Sequence, residues 1–287
     1  MLRSAKEMEG YAIGATDGVI GHVKDFYLDD EKWVIRYLVV DTGGWLSSRK
    51  VLVSPIAVGT PDWEQRLMPV SISKEQVSKS PDIDTEQPVS RQHEMAYSGY
   101  YGYPSYWGGG GYWGGAMYPD LMMSAYGGFG GSDAGPGDEQ REMARRETAR
   151  SEMARSEKAL HAHDDPHLRS FNAVVGYHIH ASDGDIGHVA GMLIDEQTWA
   201  VRYLVVDTSN WWLGHQVLIA PQWSEAVNWL DEAVALSMTR QAIKDAPVYD
   251  AQATMSRDAE DQLYQHYGHA GYWSGYPIRE DEKARSN

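Results

Sequence analysis

Cysteine is missing from this chain, and basic residues are scarce. With no Cys in 287 residues, disulfide bonds, thiolate metal sites and a cysteine nucleophile are excluded. Lys and Arg number 25 against 41 Asp and Glu, and the net charge of -16 argues against a protein that neutralises nucleic-acid phosphates. No apolar run approaches the roughly 18 residues of a membrane-spanning helix. Residues 1–10 lack the apolar segment of a signal peptide, so we expect a cytoplasmic protein.

What the chain does contain is a duplication. Residues 10–84 match residues 176–250 without a gap, with 27 identities in 75 positions, and Arg36–Thr42 returns letter for letter as Arg202–Thr208. A repeat of this length indicates two copies of one small domain. The same offset of 166 residues continues into the tail after each copy, where Arg91, Glu94, Tyr101-Gly102 and Tyr106-Trp107 match Arg257, Glu260, Tyr267-Gly268 and Tyr272-Trp273.

Within each copy, short apolar blocks alternate with turn residues, a pattern typical of β-strands. The pairs Asp17-Gly18 and Asp183-Gly184 predict tight hairpin turns. About five or six strands in so short a domain predict a small curled sheet or barrel, because closure removes exposed strand edges. A short helix should end each copy, with Ser73 and Thr239 as its caps.

Outside the two copies the composition changes. Residues 91–137 form a low-complexity tail rich in Gly, Tyr and Trp, and within it we expect disorder over Tyr97–Pro104 and Trp107–Gly115. Residues 138–170 carry a five-residue period of Glu, Ala and Arg that predicts a solvated helical linker. The predicted domains are therefore residues 1–90 and 171–252, and residues 253–287 should form a helix and a disordered aromatic tail.

The order of these segments resembles the PRC-barrel family. The residues that carry the likeness are the Asp-Gly turn, Ile-Gly-His-Val, the strand Arg-Tyr-Leu-Val-Val-Asp-Thr and the Trp-containing loop after it. This family includes the cytoplasmic part of the photosynthetic reaction centre H subunit and the carboxy-terminal half of the ribosome maturation factor RimM. The resemblance covers roughly residues 8–85 and 172–250. It implies a mainly β protein of two small antiparallel β-barrels, each with a short C-terminal helix, joined by the Gly/Tyr-rich and charged helical linker.

The candidate interaction residues lie in the loop that follows the repeated strand. A large apolar side chain at the tip of a glycine or asparagine turn is typical of an interface anchor. The alternative is that each Trp folds back as a lid on the barrel mouth. The candidates are Trp45, Leu46, Trp211, Trp212 and Leu213.

A second set of repeated residues has a structural interpretation. Arg36 and Asp41 lie five apart on a strand and point to opposite faces, so we expect Arg36 to meet Asp17 or Asp29 instead. His22 and His188 could be pH-sensitive, although a half-exposed histidine bonded to a carbonyl or carboxylate is the simpler hypothesis. The turn and ion-pair positions are Asp17, Gly18, Gly21, Arg36, Asp41, Asp183, Gly184, Gly187, Arg202 and Asp207.

Catalytic and metal signatures are weak in this sequence. There is no nucleophile elbow or phosphate loop, and the repeated aspartates stand at turns, where backbone geometry favours them. His178 and His180 share one strand face without a third ligand in register, so we predict neither a metal nor a cofactor.

The resemblance favours a non-catalytic adaptor with unidentified protein partners, possible barrel–barrel self-association and a link to stress. Two alternatives stay open at this point. One is a peripheral partner of a photosynthetic reaction centre or electron-transfer complex, which would meet the membrane only through that complex. The other is a RimM-like ribosome-associated factor, although the acidic charge predicts no nucleic-acid binding.

Overall fold

A computed structural model describes residues 1–46, 49–81, 89, 91–107, 109–127, 168–208 and 215–275. The described part is mainly β, with two sheets and few helices. The strands are β1 Leu2–Ser4, β2 Ala12–Ala15, β3 Gly18–Asp29, β4 Val34–Asp41, β5 Lys50–Val53, β6 Leu67–Pro69, β7 Leu168–Ser170, β8 His178–Ala181, β9 Gly184–Asp195, β10 Val201–Asp207, β11 Gln216–Ile219, β12 Ser224–Asn228 and β13 Ala233–Leu236. The α-helices are α1 Ala5–Met8, α2 Lys74–Ser78, α3 Arg91–Tyr101, α4 Pro119–Gly127, α5 Phe171–Val174, α6 Arg240–Lys244 and α7 Arg257–Tyr267.

The chain divides into two compact units whose segments do not follow the order of the sequence. The N-terminal unit comprises Ala5–Ala173 and Asp195–Ala200. The C-terminal unit comprises Met1–Ser4, Val174–Ile194 and Val201–Asn287. Each unit therefore contains a short piece from the opposite half of the sequence.

The sheet of the N-terminal unit runs in the order β5-β4-β3-β2-β6, with β7 added to β3. Its neighbours are antiparallel except for the parallel pair of β2 and β6. Register shifts in the β3–β4 pairing at Val23/Asp25 and Tyr27/Leu28 mark bulges, which bend and twist a sheet. The C-terminal unit has the order β11-β10-β9-β8-β13-β12, with β1 added to β9 and a parallel pair of β8 and β13.

The prediction of closed antiparallel barrels is wrong in its detail. Among the described residues, no ladder joins the two ends of either strand order, and each sheet contains a parallel pair. In the N-terminal unit the two end strands are short, with four residues in β5 and three in β6. Single bridges at Val58–Val70 and Asp62–Leu67 supply the remaining pairing there.

The central strand β4 is buried on both of its faces. Its first seven residues are all buried, a pattern expected when both sides of a strand are covered. On one face, Tyr37 and Val39 pack with Tyr97 of α3 and with Leu168 of β7, and the rings of Tyr101 and Tyr103 lie against this cluster. The tail after the first copy therefore forms part of the core.

In the Gly- and Tyr-rich tail, the expectation of disorder over Tyr97–Pro104 and Trp107–Gly115 is wrong for the residues that the structure describes. Tyr97, Tyr106 and Trp113 of this segment are each at most 5% exposed. Their rings bury apolar area while their polar atoms find partners, as when the Tyr97 hydroxyl donates to the Leu52 carbonyl at 3.3 Å. The burial and hydrogen bonds of the aromatic side chains thus stabilise a fixed conformation in this Gly-rich segment. The predicted linker lies outside the described residues except for residues 168–170, which form β7 and not a helix.

The short helices begin at the predicted caps. At Ser73 both halves of a capping box are present, since its side chain accepts from the Gln76 amide and the Gln76 side chain accepts from the Ser73 amide. Thr239 accepts from the Ala242 amide at 3.2 Å and caps α6 in the same way, without the reciprocal bond.

Candidate interaction surface and buried arginine clusters

Trp45 is neither free in solvent nor buried. It lies in a short 3-10 turn, Gly43–Leu46, between β4 and β5, and its side chain is 37% exposed. The indole Nε1 donates to the Ile20 carbonyl, and the Lys74 ammonium lies 4.4 Å from the ring centroid. Two contacts therefore fix the ring while leaving one part of it accessible.

An exposed apolar residue of β3 precedes the residue that holds the indole. Val19, next to the Ile20 carbonyl that holds Trp45, is 51% exposed. We call Val19, Trp45 and Lys74 the Trp45 surface. Leu46, the other predicted interaction residue here, is half-buried. A fixed indole beside an exposed valine loses little side-chain entropy on binding, which favours an interface.

The corresponding loop of the second copy, with Trp211, Trp212 and Leu213, lies outside the described residues. Its two ends are described and resemble those of the first loop. Thr208 Oγ1 donates to the His215 carbonyl at 2.8 Å, as Thr42 Oγ1 does to the Arg49 carbonyl at 2.7 Å. Arg240 occupies the position equivalent to Lys74, and its Nε lies 3.6 Å from Asp183 Oδ1.

The repeated aspartates and glycines have backbone roles. Asp17 Oδ1 accepts from the amide of Lys74, and Asp183 Oδ1 accepts from the amide of Arg240, each at 2.7 Å, so each hairpin turn holds the first turn of a helix. Gly18 and Gly184 have φ of +132° and +126°, angles that other residues rarely adopt. Asp41 accepts from the Gly43 amide at 2.9 Å and shapes the Trp45 turn.

Gly21 and Gly187 are needed because another strand passes very close. A Cβ at Gly21 would lie 2.0 Å from the Asp41 carbonyl oxygen, and a Cβ at Gly187 would lie at the same distance from the Asp207 carbonyl oxygen. Such a contact is far inside van der Waals distance, so neither position can take a side chain unless the backbone moves.

The histidines do not converge into a site. His22 lies exposed on β3 opposite Asp41, and half-buried His188 lies opposite Asp207 in β10; neither has a hydrogen-bond partner among the described residues. The Nδ1 of His180 pairs with the Asp185 carboxylate, and its ring lies 6.5 Å from that of His178. In the part of the chain that the structure covers, no group of three His, Asp or Glu side chains is placed to hold a metal.

Arg36 is the centre of a fully buried polar group in the N-terminal unit. Its guanidinium donates twice to Asp29 Oδ2, at 2.7 and 3.1 Å, and the two side chains are 0% and 6% exposed. The Nη1 atom donates to the Tyr112 carbonyl at 2.6 Å, and the guanidinium carbon lies 3.8 Å from the Tyr106 ring centroid and 4.9 Å from that of Trp113. Of the two expected partners, Asp29 is therefore the one that Arg36 contacts.

Two further bonds tie this group to the tail and to a distant segment. The Tyr106 hydroxyl donates to the Glu94 carboxylate of α3, which is 2% exposed. Trp113 Nε1 donates to the Thr198 carbonyl at 2.8 Å, and Thr198 belongs to the segment Asp195–Ala200 of the same unit. We call Asp29, Arg36, Glu94, Tyr106 and Trp113 the Arg36 cluster.

The C-terminal unit contains the equivalent group at the repeat offset. The Arg202 guanidinium carbon lies 3.9 Å from the Tyr272 ring centroid, and the Tyr272 hydroxyl donates to Glu260 at 3.0 Å. Glu260 also accepts from the Tyr203 hydroxyl at 2.7 Å and pairs with Arg257 at 2.8 Å. Burial raises the pKa of the Glu260 carboxyl above its usual range, and it raises that of Tyr203 as well. We call these residues the Arg202 cluster.

Sequence reasoning missed the function of the tail residues in these clusters. The signal was present, because Glu94 and Tyr106 match Glu260 and Tyr272 at the offset of 166 residues. The Gly-rich composition around them favours disorder, whereas Glu94, Tyr106 and Glu260 are buried and Tyr272 is half-buried.

Comparison with known proteins identifies the first copy. The sequence model of the PRC-barrel domain matches residues 3–74. Residues 3–74 are a PRC-barrel domain. This domain points to a protein-interaction module, and PRC-barrel domains are generally non-catalytic. The match ends at Lys74, the first residue of α2. Glu94, Tyr106 and Trp113 of the Arg36 cluster therefore lie outside the matched residues.

A relative from Deinococcus radiodurans, an uncharacterised protein, is 36% identical over 81 residues. The aligned stretch is 28% of this chain and 29% of that protein, so the likeness is confined to less than a third of either chain. None of the described helices has the length and apolar character that crossing a bilayer requires.

Proposed function

We propose that this chain is a non-catalytic adaptor that acts in the cytoplasm through two PRC-type modules, each of which presents a Trp loop to a protein partner. For the second module, the support is that its sheet follows the same strand order from β11 to β13 as the first sheet does from β5 to β6. Each sheet is followed by a short capped helix and by a tail that places a buried Glu and a Tyr bonded to it beside the repeated Arg.

The Trp45 surface is the observation that carries the proposal. Its indole is held by the Ile20 carbonyl and by the Lys74 ammonium, so the ring is already fixed before a partner arrives. Large aromatic side chains in fixed positions supply a large share of binding energy at protein interfaces. Two such loops on one chain would combine weak contacts into a tighter one through effective concentration.

A pull-down with the full-length chain tests the proposal. Wild type should capture a specific protein, and the variant with Trp45→Ala and Trp211→Ala should lose it. Trp63→Ala is the matched control, because Trp63 is a half-buried Trp of the same unit that packs at 6.1 Å on Tyr11. Capture that survives the double substitution, or that Trp63→Ala removes equally, would reject the Trp loops as the binding surface.

The same proteins can be measured alone by sedimentation velocity. Self-association that Trp45→Ala and Trp211→Ala abolish would identify a second copy as the partner of these loops. Association unaffected by both substitutions would count against self-recognition through them.

A further inference from the structure

The N-terminal unit contains a strand that comes from far along the chain. In β7, Ser170 lies opposite Tyr27, Arg169 opposite Leu28 and Leu168 opposite Asp29, all along the edge of β3. We call the segment from Asp25 to Asp30, which is the end of β3 and the residue after it, the β3 slot. Leu168 is 5% exposed and joins the cluster that covers the outer face of β4. The slot is therefore filled as completely as an internal part of the sheet.

Side chains of the slot contact the inserted segment residue by residue. Arg169 Nε pairs with Asp30 Oδ2 at 2.8 Å, with both side chains largely buried. Ser170 Oγ donates to Asp25 Oδ2 at 2.6 Å, and the Phe171 ring packs edge-on against Phe26 at 6.2 Å.

Asp25 also binds the backbone that follows the strand. Its Oδ1 accepts from the Asn172 amide at 3.1 Å, so one carboxylate holds both the end of β7 and the start of α5. Asp25 is half-buried, and burial raises the pKa of its carboxyl above the usual range. Backbone pairing gives strand addition its affinity, and side-chain contacts of this kind give it selectivity.

The chain carries the same three letters a second time. Leu2-Arg3-Ser4 precedes Leu168-Arg169-Ser170 by the repeat offset, and it forms β1, which pairs with β9 in the C-terminal unit. Each triplet thus lies in the sheet that is built mainly from the other half of the sequence. The residues around the two triplets differ at equivalent positions of the repeat. Ala5 follows the first triplet where Phe171 follows the second, and β9 has Gly191 and Met192 where β3 has Asp25 and Phe26.

We propose that the β3 slot is a selective docking site for a strand of sequence Leu-Arg-Ser followed by an aromatic residue, and that Phe26 selects residues 168–171 over residues 2–5. Asp25 holds a Ser hydroxyl and a backbone amide, which both segments can supply. Asp30 recognises the Arg that both triplets share. Phe26 recognises the aromatic ring that follows only the second triplet. The partner of the slot is therefore the leading segment of the second copy, whichever protein the Trp45 surface binds.

A charge exchange in the full-length chain tests which Arg occupies the slot. Asp30→Arg places two cations together and should lower the urea midpoint of unfolding. Adding Arg169→Asp should restore at least half of the loss, and adding Arg3→Asp should restore none. Rescue by Arg3→Asp, or no rescue by Arg169→Asp, would overturn the proposal.

A peptide experiment tests the selectivity. The slot is vacated in the full-length chain by Leu168→Gly, Arg169→Gly and Ser170→Gly, and labelled peptides of residues 167–174 and 1–8 are titrated by fluorescence anisotropy. The first peptide should bind about tenfold more tightly, because it alone supplies the aromatic ring for Phe26 and the Asn172 side-chain amide that donates to the Lys24 carbonyl, and the two contacts are together worth about that factor. Phe26→Ala in the same chain should reduce the ratio. Equal affinities, or no binding by a chain whose circular dichroism is native-like, would refute the proposal, and the charge exchange decides the question if the vacated chain does not fold.

Discussion

Replacing Arg36 by Met should destabilise the chain strongly, because it leaves Asp29 buried without its partner. The Arg36 side chain is fully buried, and its guanidinium makes two bonds to Asp29 and one to the Tyr112 carbonyl. Removing one member of a buried ion pair costs about 3–5 kcal/mol, and losing the contact with the Tyr106 ring adds roughly 0.5–2 kcal/mol. Met fills most of the volume, so the loss should not come from a cavity.

The assay is urea unfolding of the full-length chain at pH 7, followed by tryptophan fluorescence. A matched variant, Lys79→Ala, removes an exposed pair with Glu75 and should leave the midpoint unchanged. Adding Asp29→Asn to Arg36→Met should recover part of the loss. Asn is neutral and keeps the side-chain oxygen that accepts from the amides of Glu31 and Lys32.

A loss below about 1 kcal/mol for Arg36→Met would contradict the buried ion pair, because an unpaired buried charge costs far more. A double variant no more stable than the single one would also contradict it, because the remaining charge on Asp29 would then not be the cause.

Three further predictions concern the backbone and pH. Gly21→Ala should cost about 3 kcal/mol or prevent folding, since its Cβ would meet the Asp41 carbonyl at 2.0 Å, whereas Gly44→Ala has open space and should be neutral in the same urea assay. Asp17→Ala should cost about 1 kcal/mol by removing the acceptor for the first amide of α2, and an unchanged midpoint would contradict that role. The raised pKa of Glu260 means that the folded state holds this proton more tightly than the unfolded state. Its contribution to stability is therefore complete below the ordinary pKa of 4.5 and is lost as pH rises through the folded-state pKa. The urea midpoint of Glu260→Gln should therefore rise relative to that of wild type between pH 4 and pH 8. A difference in urea midpoints that does not change with pH would contradict this prediction.

The local features of the fold could be predicted from the sequence because they depend on near neighbours. Asp17-Gly18 determines its hairpin through backbone geometry, and Ser73 caps its helix through contacts within four residues. The Arg36–Asp29 pairing was one of two candidates, since both aspartates lie at turns within reach of the strand. Burial of α3 and Trp113 could not be predicted, because a Gly- and Tyr-rich segment becomes ordered only by packing on a sheet face and by bonding to buried polar groups that lie far away in the sequence.

The pairing of β7 with β3 could not be predicted from the sequence for a different reason. Three residues, Leu168-Arg169-Ser170, are too short for a periodic pattern, and nothing local shows that their partner is β3, about 140 residues away. The prediction of closed sheets was also wrong, because the number of strands favours a barrel but does not show whether the two end strands pair, and no ladder joins β5 to β6 among the described residues. Of the candidate interaction residues, Trp45 stands at the surface with a fixed ring.

Site-specific photocrosslinking at Val19 is the most direct test of the proposed adaptor function. A benzophenone amino acid replaces Val19, which is 51% exposed beside Trp45, and in a control chain it replaces Leu230, which is 95% exposed in the C-terminal unit. Illumination in cells should give a covalent adduct with one protein at position 19 and not at position 230. No adduct at position 19, or the same adducts at both positions, would contradict the claim that the Trp45 surface is where this protein binds its partner.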